Sequence, residues 1–544
     1  MVQSLLFINN GIKCSKAYNF YTMKSRNTLQ ITRFIVIIAA LFLALYTAQK
    51  GLKADAVPTM ELPDNVLDTM LNVSFLFPKN ENPSLPCDIY SQIFEGDQSM
   101  HYFIVPGDFR ADKVVCYALA EDGSYLNRYI IDFSVNPEYM IGLRSLILTR
   151  TNLPVLTLDI LKDSPTIDEL NASDKTVECR GNLTLETGGI SIADKVTVTG
   201  RGNVSWYSSA KKSYTLAFDH SVFIQGMGRN RKWNLISNSL DKSLLNNEVF
   251  YKMAADIGIE YEPSYAQVSV FINGRYNGVY LLTSKISVDP DRVALSKGDF
   301  FMNFGDPDMS NAIFFNSRIW LDDEGTIRPY ANIKWPKDHS EAERRRQERI
   351  LLRAFASLED PDDPDYTEYF DLDSLVRYYW VQEICMNYDA DYRSTYAYYK
   401  QSTDKIYFGP VWDLDIALGW NAGKFDTDFN SPTGWKLKNM SWYACLYEHE
   451  GFEDALADAY FNGGIREAMF NALKDYESAY EELAFDGRLN YRRWKSEWPD
   501  LAIRHGENYN DECLGRIDFL TQRINWIDDQ MQNHLLPSTS SDPL

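Results

Sequence analysis

Val268-Ser269-Val270-Phe271-Ile272-Asn273-Gly274-Arg275-Tyr276-Asn277-Gly278-Val279-Tyr280-Leu281-Leu282 decides how the middle of this chain folds. Val268, Val270 and Ile272 alternate with other residues at the two-residue period of a half-buried strand. Asn273-Gly274 then supplies the positive backbone angles of a two-residue hairpin turn, and residues 279–282 provide the returning strand. Just upstream, Leu245, Val249, Met253 and Ile257 recur every four residues. This spacing predicts an amphipathic helix between Asp241, a candidate N-cap, and Gly258, a candidate stop, packed on the sheet. Strands dominate from about 146 to 285, and helices dominate from about 340 onward. The expectation is therefore an α+β protein with a β-rich part followed by a helical part.

Outward from this core, residues 57–145 hold short apolar or aromatic runs (71–77, 101–105, 113–119, 129–133) broken by Pro, Gly and Asn/Asp clusters. That texture predicts a small accessory β-sandwich, Ig-like in type. Residues 1–56 read as a targeting segment. Arg33 precedes an apolar run at 34–45, too short for a span of about 20 residues, and Ala54-Asp55-Ala56 is a small-x-small cleavage pattern. Export to the periplasm, cell surface or medium is expected, with Met23 as an alternative start and an uncleaved anchor as the one route to a membrane. The tail at 536–544 is expected to be disordered. Export would permit disulfides, and Cys87 with Cys116 would lie within one small domain; buried free thiols are the alternative.

The chain carries 54 Lys/Arg against 76 Asp/Glu, a net charge of -22. Such an excess repels phosphate backbones, so nucleic acid is excluded as a general partner and a basic protein substrate is favoured. The six histidines are scattered and no Cys-x-x-Cys occurs, which argues against zinc.

Chemistry concentrates at Pro410-Val411-Trp412-Asp413-Leu414-Asp415, which follows a strand-like stretch at 405–408 and stands about twenty-five residues after Asp389. Two carboxylates at i and i+2 of an extended segment point to one side and can hold a divalent cation. Gly200-Arg201-Gly202-Asn203 follows a strand, and glycines there let backbone N–H groups turn toward phosphates. Lys211 and Lys212 fall on an alternating strand, so only one of the two can enter a cleft; the pattern leaves open which.

These stretches, in this order, resemble the spore-coat CotH kinase family. The resemblance rests on Arg201-Gly202-Asn203 with Trp206, Lys211-Lys212 with Tyr214, Lys232-Trp233-Asn234-Leu235, Asp241-Lys242-Ser243-Leu244-Leu245, the Asn273-Gly274 hairpin and Trp412-Asp413-Leu414-Asp415. It implies a secreted atypical protein kinase using ATP and Mg2+, with a bilobal protein-kinase-like domain over 146–535 behind the sandwich. It further implies that Asp389 handles the acceptor proton, and that Asp413, with Asp415 as auxiliary, binds metal. Gly200, Arg201, Gly202, Asn203, Lys211 and Lys212 would line the nucleotide site, and the acceptor would be a basic, Ser-rich protein. The sequence departs from the family pattern at several points. Ser394-Thr395 stands where an Asn metal ligand is expected, so Ser394 is the substitute candidate. Asn246, Ser284 and Asn303 replace an Arg, a Glu and a Glu. A pseudokinase or surface scaffold is thus a competing reading. A carbohydrate-active protein also has paired carboxylates in an aromatic-rich chain, but two residues apart on one strand they are awkwardly placed to flank a glycosidic bond.

Overall fold

The computed structural model describes the backbone of strands within 100–150. It also describes residues 153–533, except 188–189, 225, 274, 306–310, 315–329, 364, 391–392, 420–427, 495–496, 498–505 and 507. The targeting segment, the tail, the run at 71–77 and the Cys87–Cys116 pair lie outside these residues. Contacts divide the chain into two units, Met1–Glu121 with Asn127–Arg150, and Asp122–Leu126 with Thr151–Leu544. In the first, β1 (Met100–Ile104), β2 (Lys113–Ala120), β3 (Leu126–Asp132) and β4 (Leu146–Arg150) form one sheet ordered β3-β2-β1-β4. β1 runs antiparallel to β2 and parallel to β4.

The β-rich part of the second unit closes on itself. β5 (Val155–Ile160), β6 (Glu178–Thr187), β7 (Ile190–Arg201), β8 (Ser213–Ile224), β9 (Gly228–Ile236), β10 (Tyr265–Ile272) and β11 (Arg275–Ser284) make a seven-stranded barrel. The parallel pairing of β5 with β10 shuts it. The hairpin read from Asn273-Gly274 is present, with Ile272 opposite Arg275 and Asn273 at φ 51°. The alternating residues Val268, Val270 and Ile272 face the barrel interior with Val198, Leu216, Trp233, Leu235 and Leu282. Closure removes the exposed sheet edges that an open lobe would leave unpaired.

On the outer face, Ile236, Val279 and Leu281 join a larger core shared with the helices. α1 (Ile167–Ala172) and α2 (Val204–Ser208) belong to the barrel, while α3 (Asn246–Asp256) packs outside it. The expected helix is present but starts later than Asp241. Its N-cap is Leu245, and the Asp241 carboxylate instead accepts from the Ser243 and Asn246 amides at 3.0 and 2.9 Å.

A second sheet, ordered β13-β14-β12-β15-β16, follows the barrel. It is built from β12 (Phe300–Phe304), β13 (Ala312–Phe314), β14 (Tyr330–Trp335), β15 (Thr395–Lys400) and β16 (Lys405–Phe408). The helices of this part are α4 (Glu341–Glu359), α5 (Tyr366–Tyr369), α6 (Leu372–Cys385), α7 (Ser441–Glu448), α8 (Phe452–Phe461), α9 (Ile465–Trp494) and α10 (Tyr509–Gln532), of which α9 packs on α3 and on β11 of the barrel. Ser340 caps α4 by accepting from Glu343 N, and Glu341 pairs with Arg345 at 2.6 Å. α10 buries Leu520, Ile524 and Ile527, while Leu514 near its start is 52% exposed. No helix among the described residues is long and apolar enough to cross a membrane.

One buried ion pair ties α6 to α10. Arg523 donates through Nη2 to the Glu383 carboxylate and to the Glu383 carbonyl (3.0 Å), and through Nη1 to the carbonyls of Pro432 (3.1 Å) and Gly434 (2.7 Å). Glu383 also accepts the Lys436 and Leu437 amides, both at 2.8 Å. Both side chains are fully excluded from solvent. Removing one partner strands the other charge in the core, so Arg523→Met should cost about 3–5 kcal/mol. Urea unfolding checks this, and Glu383→Gln/Arg523→Met should recover part of the loss.

Candidate functional site

The Trp-Asp-Leu-Asp stretch does not continue as the extended segment its spacing suggested. Asp413 adopts the left-handed conformation (φ 63°, ψ 51°) and opens a short 3-10 turn, Leu414–Ile416. A non-glycine residue there is strained and persists only when its surroundings over-determine it. They do so here. Val411 N donates to Glu262 Oε1 at 2.9 Å, Asp413 N to the Tyr251 hydroxyl at 3.3 Å, and Leu414 N to Asn247 Oδ1 at 2.8 Å. Asn247 and Tyr251 are one turn apart on α3, so a single helix face holds two consecutive amides. From the other side, Arg516 of α10 donates to Ala417 O at 3.2 Å and Leu418 O at 2.7 Å. Leu418 N reaches Cys385 O at 2.9 Å, which fastens the turn to the end of α6.

The side chains of this turn meet the other candidates. Ser394, itself at φ 53°, donates its hydroxyl to Asp413 Oδ2 at 3.1 Å. Thr395 is buried and spends its hydroxyl on the carbonyls of Ala390 (3.1 Å) and Arg393 (3.2 Å), so Ser394 is the residue that meets the carboxylate. Asp415 is buried, and no hydrogen-bond donor reaches its carboxylate among the described residues. Burial first, and then the charges of Asp413, Asp241 and Asp389, push its pKa well above the ordinary aspartate range; Arg201 pulls the other way. A cation beside Asp415 would relieve that repulsion. Among the described residues no three His, Cys, Asp or Glu side chains form a ready-made metal cage. Two carboxylates and a hydroxyl suit Mg2+, which keeps several waters and shares its shell with phosphate oxygens.

Asp389 lies four residues beyond α6, after Met386 has turned the chain at φ 53°. Its amide donates to Asn387 Oδ1 at 3.1 Å, and Arg393 N donates to its carbonyl at 3.2 Å. Arg201 ends β7 and lies over the Trp412 ring, 5.4 Å from its centroid, while Tyr251 stacks on Trp412 at 6.0 Å.

The glycines and lysines of the expected nucleotide loop have other occupations. A Cβ at Gly200 would fall 2.4 Å from the Trp206 ring, so this glycine makes room for an indole. Gly202 turns the chain at φ 94°, its carbonyl accepts Lys175 Nζ at 2.9 Å, and Asn203 caps α2. Lys211 is buried, donates to Ser237 O (2.7 Å) and Val279 O (2.5 Å), and lies over Tyr280. Lys212 donates to Trp206 O and lies over the Trp206 ring. Both ammonium groups are thus engaged by main-chain carbonyls, an outcome that alternation along a strand could not anticipate.

The residues that hold the turn, Asn247, Tyr251, Glu262 and Arg516, were not singled out in the sequence. The available signal was Asn246-Asn247 at the head of an amphipathic helix: buried amides need partners, and partners of both lie in the Asp turn, at Ala417 and Leu414. Asn247→Ala would orphan the Leu414 amide at a cost of about 1–3 kcal/mol. Amide exchange at 413–416 should then accelerate while the barrel interior stays protected; unchanged exchange at the turn would refute the role.

A family model described as CotH kinase protein matches residues 198–527. No curated protein matches the chain.

Proposed function

Because the chain belongs to the CotH kinase family, we propose that it transfers the γ-phosphate of ATP to a hydroxyl of a protein acceptor in a Mg2+-dependent reaction. In this reading the barrel and the helical part serve as the two lobes of a kinase-like body. The observation that carries it is the contact of Ser394 with Asp413 beside the buried, donor-free Asp415. In this reading the Ser394 hydroxyl stands in for the amide ligand that the family pattern leads one to expect. Export is part of the proposal and rests on the apolar run at 34–45 followed by Ala54-Asp55-Ala56.

Asp413, Asp415 and Ser394 would hold Mg2+, which when bound neutralises charge on the phosphates. Asp389 accepts the proton of the acceptor hydroxyl. As that oxygen bonds to the γ-phosphorus, the bond to the bridging oxygen breaks and ADP leaves with the electron pair. The fixed turn keeps Asp413 aimed without reorganisation at the moment of transfer.

Radiolabelled transfer from ATP to basic Ser-rich proteins, and to the chain itself, tests this. Asp389→Ala should leave ATP binding nearly intact and lower transfer by about 10²–10⁴-fold, since a base acts mainly at the transferring step. Asp413→Ala should remove metal-dependent ATP binding. Ser394→Asn should raise turnover and strengthen its dependence on Mg2+. ATP bound without transfer in the parent and in Ser394→Asn would replace the enzyme with a nucleotide-binding scaffold.

A further inference from the structure

If Lys211 and Lys212 are occupied by carbonyls, the phosphates of a nucleotide need other cations. Five stand together near the Asp turn. β9 and β11 are antiparallel with Trp233 opposite Ser284, and just beyond that pair Lys285 N donates to Lys232 O at 3.3 Å. Directly opposed residues of antiparallel strands project to one face about 5 Å apart, so these two lysines are side by side. The next residue, Ile286, packs against the same small cluster, Val293, Phe301 and Tyr398, as Trp335 of the second sheet. That contact brings the segment carrying Lys334 and Lys337 against the end of the barrel. Arg201 completes the group from the end of β7, where it lies over Trp412 next to Asp413.

The electrostatics agree. Lys285 is pushed below the usual lysine range by burial and then by Lys232, Arg201, Lys337 and Lys334. None of the five forms an ion pair among the described residues, although the chain as a whole carries -22. Other surface cations do find acids: Lys252 has Asp256 and Asp475, and Lys400 has Glu260. Five cations left unpaired in so acidic a chain make a field suited to a multivalent anion. Tyr396 of the second sheet, whose hydroxyl burial pushes up to about 12 while the charge of Arg201 pulls it down, stacks on Phe301 at 5.5 Å.

We propose that Lys232 and Lys285 on the barrel, Lys334 and Lys337 on the facing segment, and Arg201 beside the Asp turn form a two-walled cradle for the triphosphate of the nucleotide. The proposal rests on the kinase reading above and assigns to these residues the role first expected of Lys211 and Lys212. Two walls of like charge repel each other until a polyanion lies between them. Nucleotide binding would therefore draw the barrel and the second sheet together.

Calorimetric titration of the purified chain with Mg-ATP, inorganic tripolyphosphate and adenosine tests the cradle. Lys232→Ala/Lys285→Ala should weaken Mg-ATP and tripolyphosphate by about tenfold or more, since each charge-assisted contact contributes strongly. It should also flatten the salt dependence of both and leave adenosine unaffected. Lys232→Arg/Lys285→Arg should retain most of the affinity. Both residues keep part of their surface in solvent, although the Lys285 ammonium group is partly desolvated, and neither has an ion pair to lose; a melting temperature that does not fall is therefore expected and serves as the control for folding. If the parent binds Mg-ATP and the double alanine variant binds it equally well, the cradle is refuted while the kinase reading stands. If the parent binds tripolyphosphate but not ATP, both fall. If the double variant keeps ATP but loses an Asp/Glu-rich peptide that the parent binds, the patch serves an acidic acceptor and the cradle is refuted.

Discussion

Asp413 sits at a backbone angle that a non-glycine residue adopts only under compulsion, and the compulsion comes from amides that must be satisfied. The N–H groups of Val411, Asp413 and Leu414 each find a side-chain acceptor, on Glu262, Tyr251 and Asn247 respectively. The carbonyls of Ala417 and Leu418 find Arg516. Four separate parts of the molecule thus converge on eight residues: α3, the segment entering β10, the end of α6, and α10. This convergence makes the turn rigid where an extended strand carrying the same carboxylates would have been free to twist. It also makes α3 a structural lever, because any displacement of that helix moves two amide acceptors at once.

The charges used to secure this arrangement are buried in pairs. Arg516 is held by Glu512, whose second oxygen accepts the Gly506 amide, and Arg523 is held by Glu383. Each arginine also donates to carbonyls of irregular segments, at 417–418 in one case and 432–434 in the other. Irregular chain cannot satisfy its own carbonyls as helices do, so a guanidinium with five donors in a fixed fork is the side chain suited to the task. Burying such pairs is expensive and adds little stability by itself. What it adds is definition: two arginines of α10 determine where two loops lie, one of which carries the candidate metal carboxylates.

Regular elements were legible because their rules are local. The period of 268–272, the Asn273-Gly274 turn and the four-residue spacing of α3 all follow from neighbours in sequence. Closure of the barrel was not, since it depends on the parallel pairing of β5 with β10, strands more than a hundred residues apart. At the site, the carboxylates were readable as residue types and their backbone was not. Spacing of two suggested an extended segment, but the contacts that impose the left-handed turn come from residues 149 to 167 positions away. Ser394 was legible only as a replacement, and its hydrogen bond to Asp413 required the return of β15 beside the turn. Lys211 shows the reverse limit. A lysine after a glycine loop reads as a phosphate ligand, and the sequence gives no sign of the Ser237 and Val279 carbonyls that accept from its side chain, 26 and 68 residues away.

Net charge misleads for a related reason. A value of -22 describes the field far from the molecule, where it favours a basic partner and repels an acidic one. Within a cleft, distances shorter than the screening length, about 8 Å at physiological salt, give the nearest side chains control. There Arg201, Lys232, Lys285, Lys334 and Lys337 reverse the sign, and Asp389, Asp413 and Asp415 restore it a few residues away. A surface that is acidic overall and a cleft that is locally divided between the two signs are not in conflict. The far field selects which macromolecule approaches, whereas the divided near field suits a ligand that is itself divided, a polyanion carrying its own divalent cation. A basic acceptor and a metal-bound nucleotide can therefore be attracted by the same chain through different parts of its field.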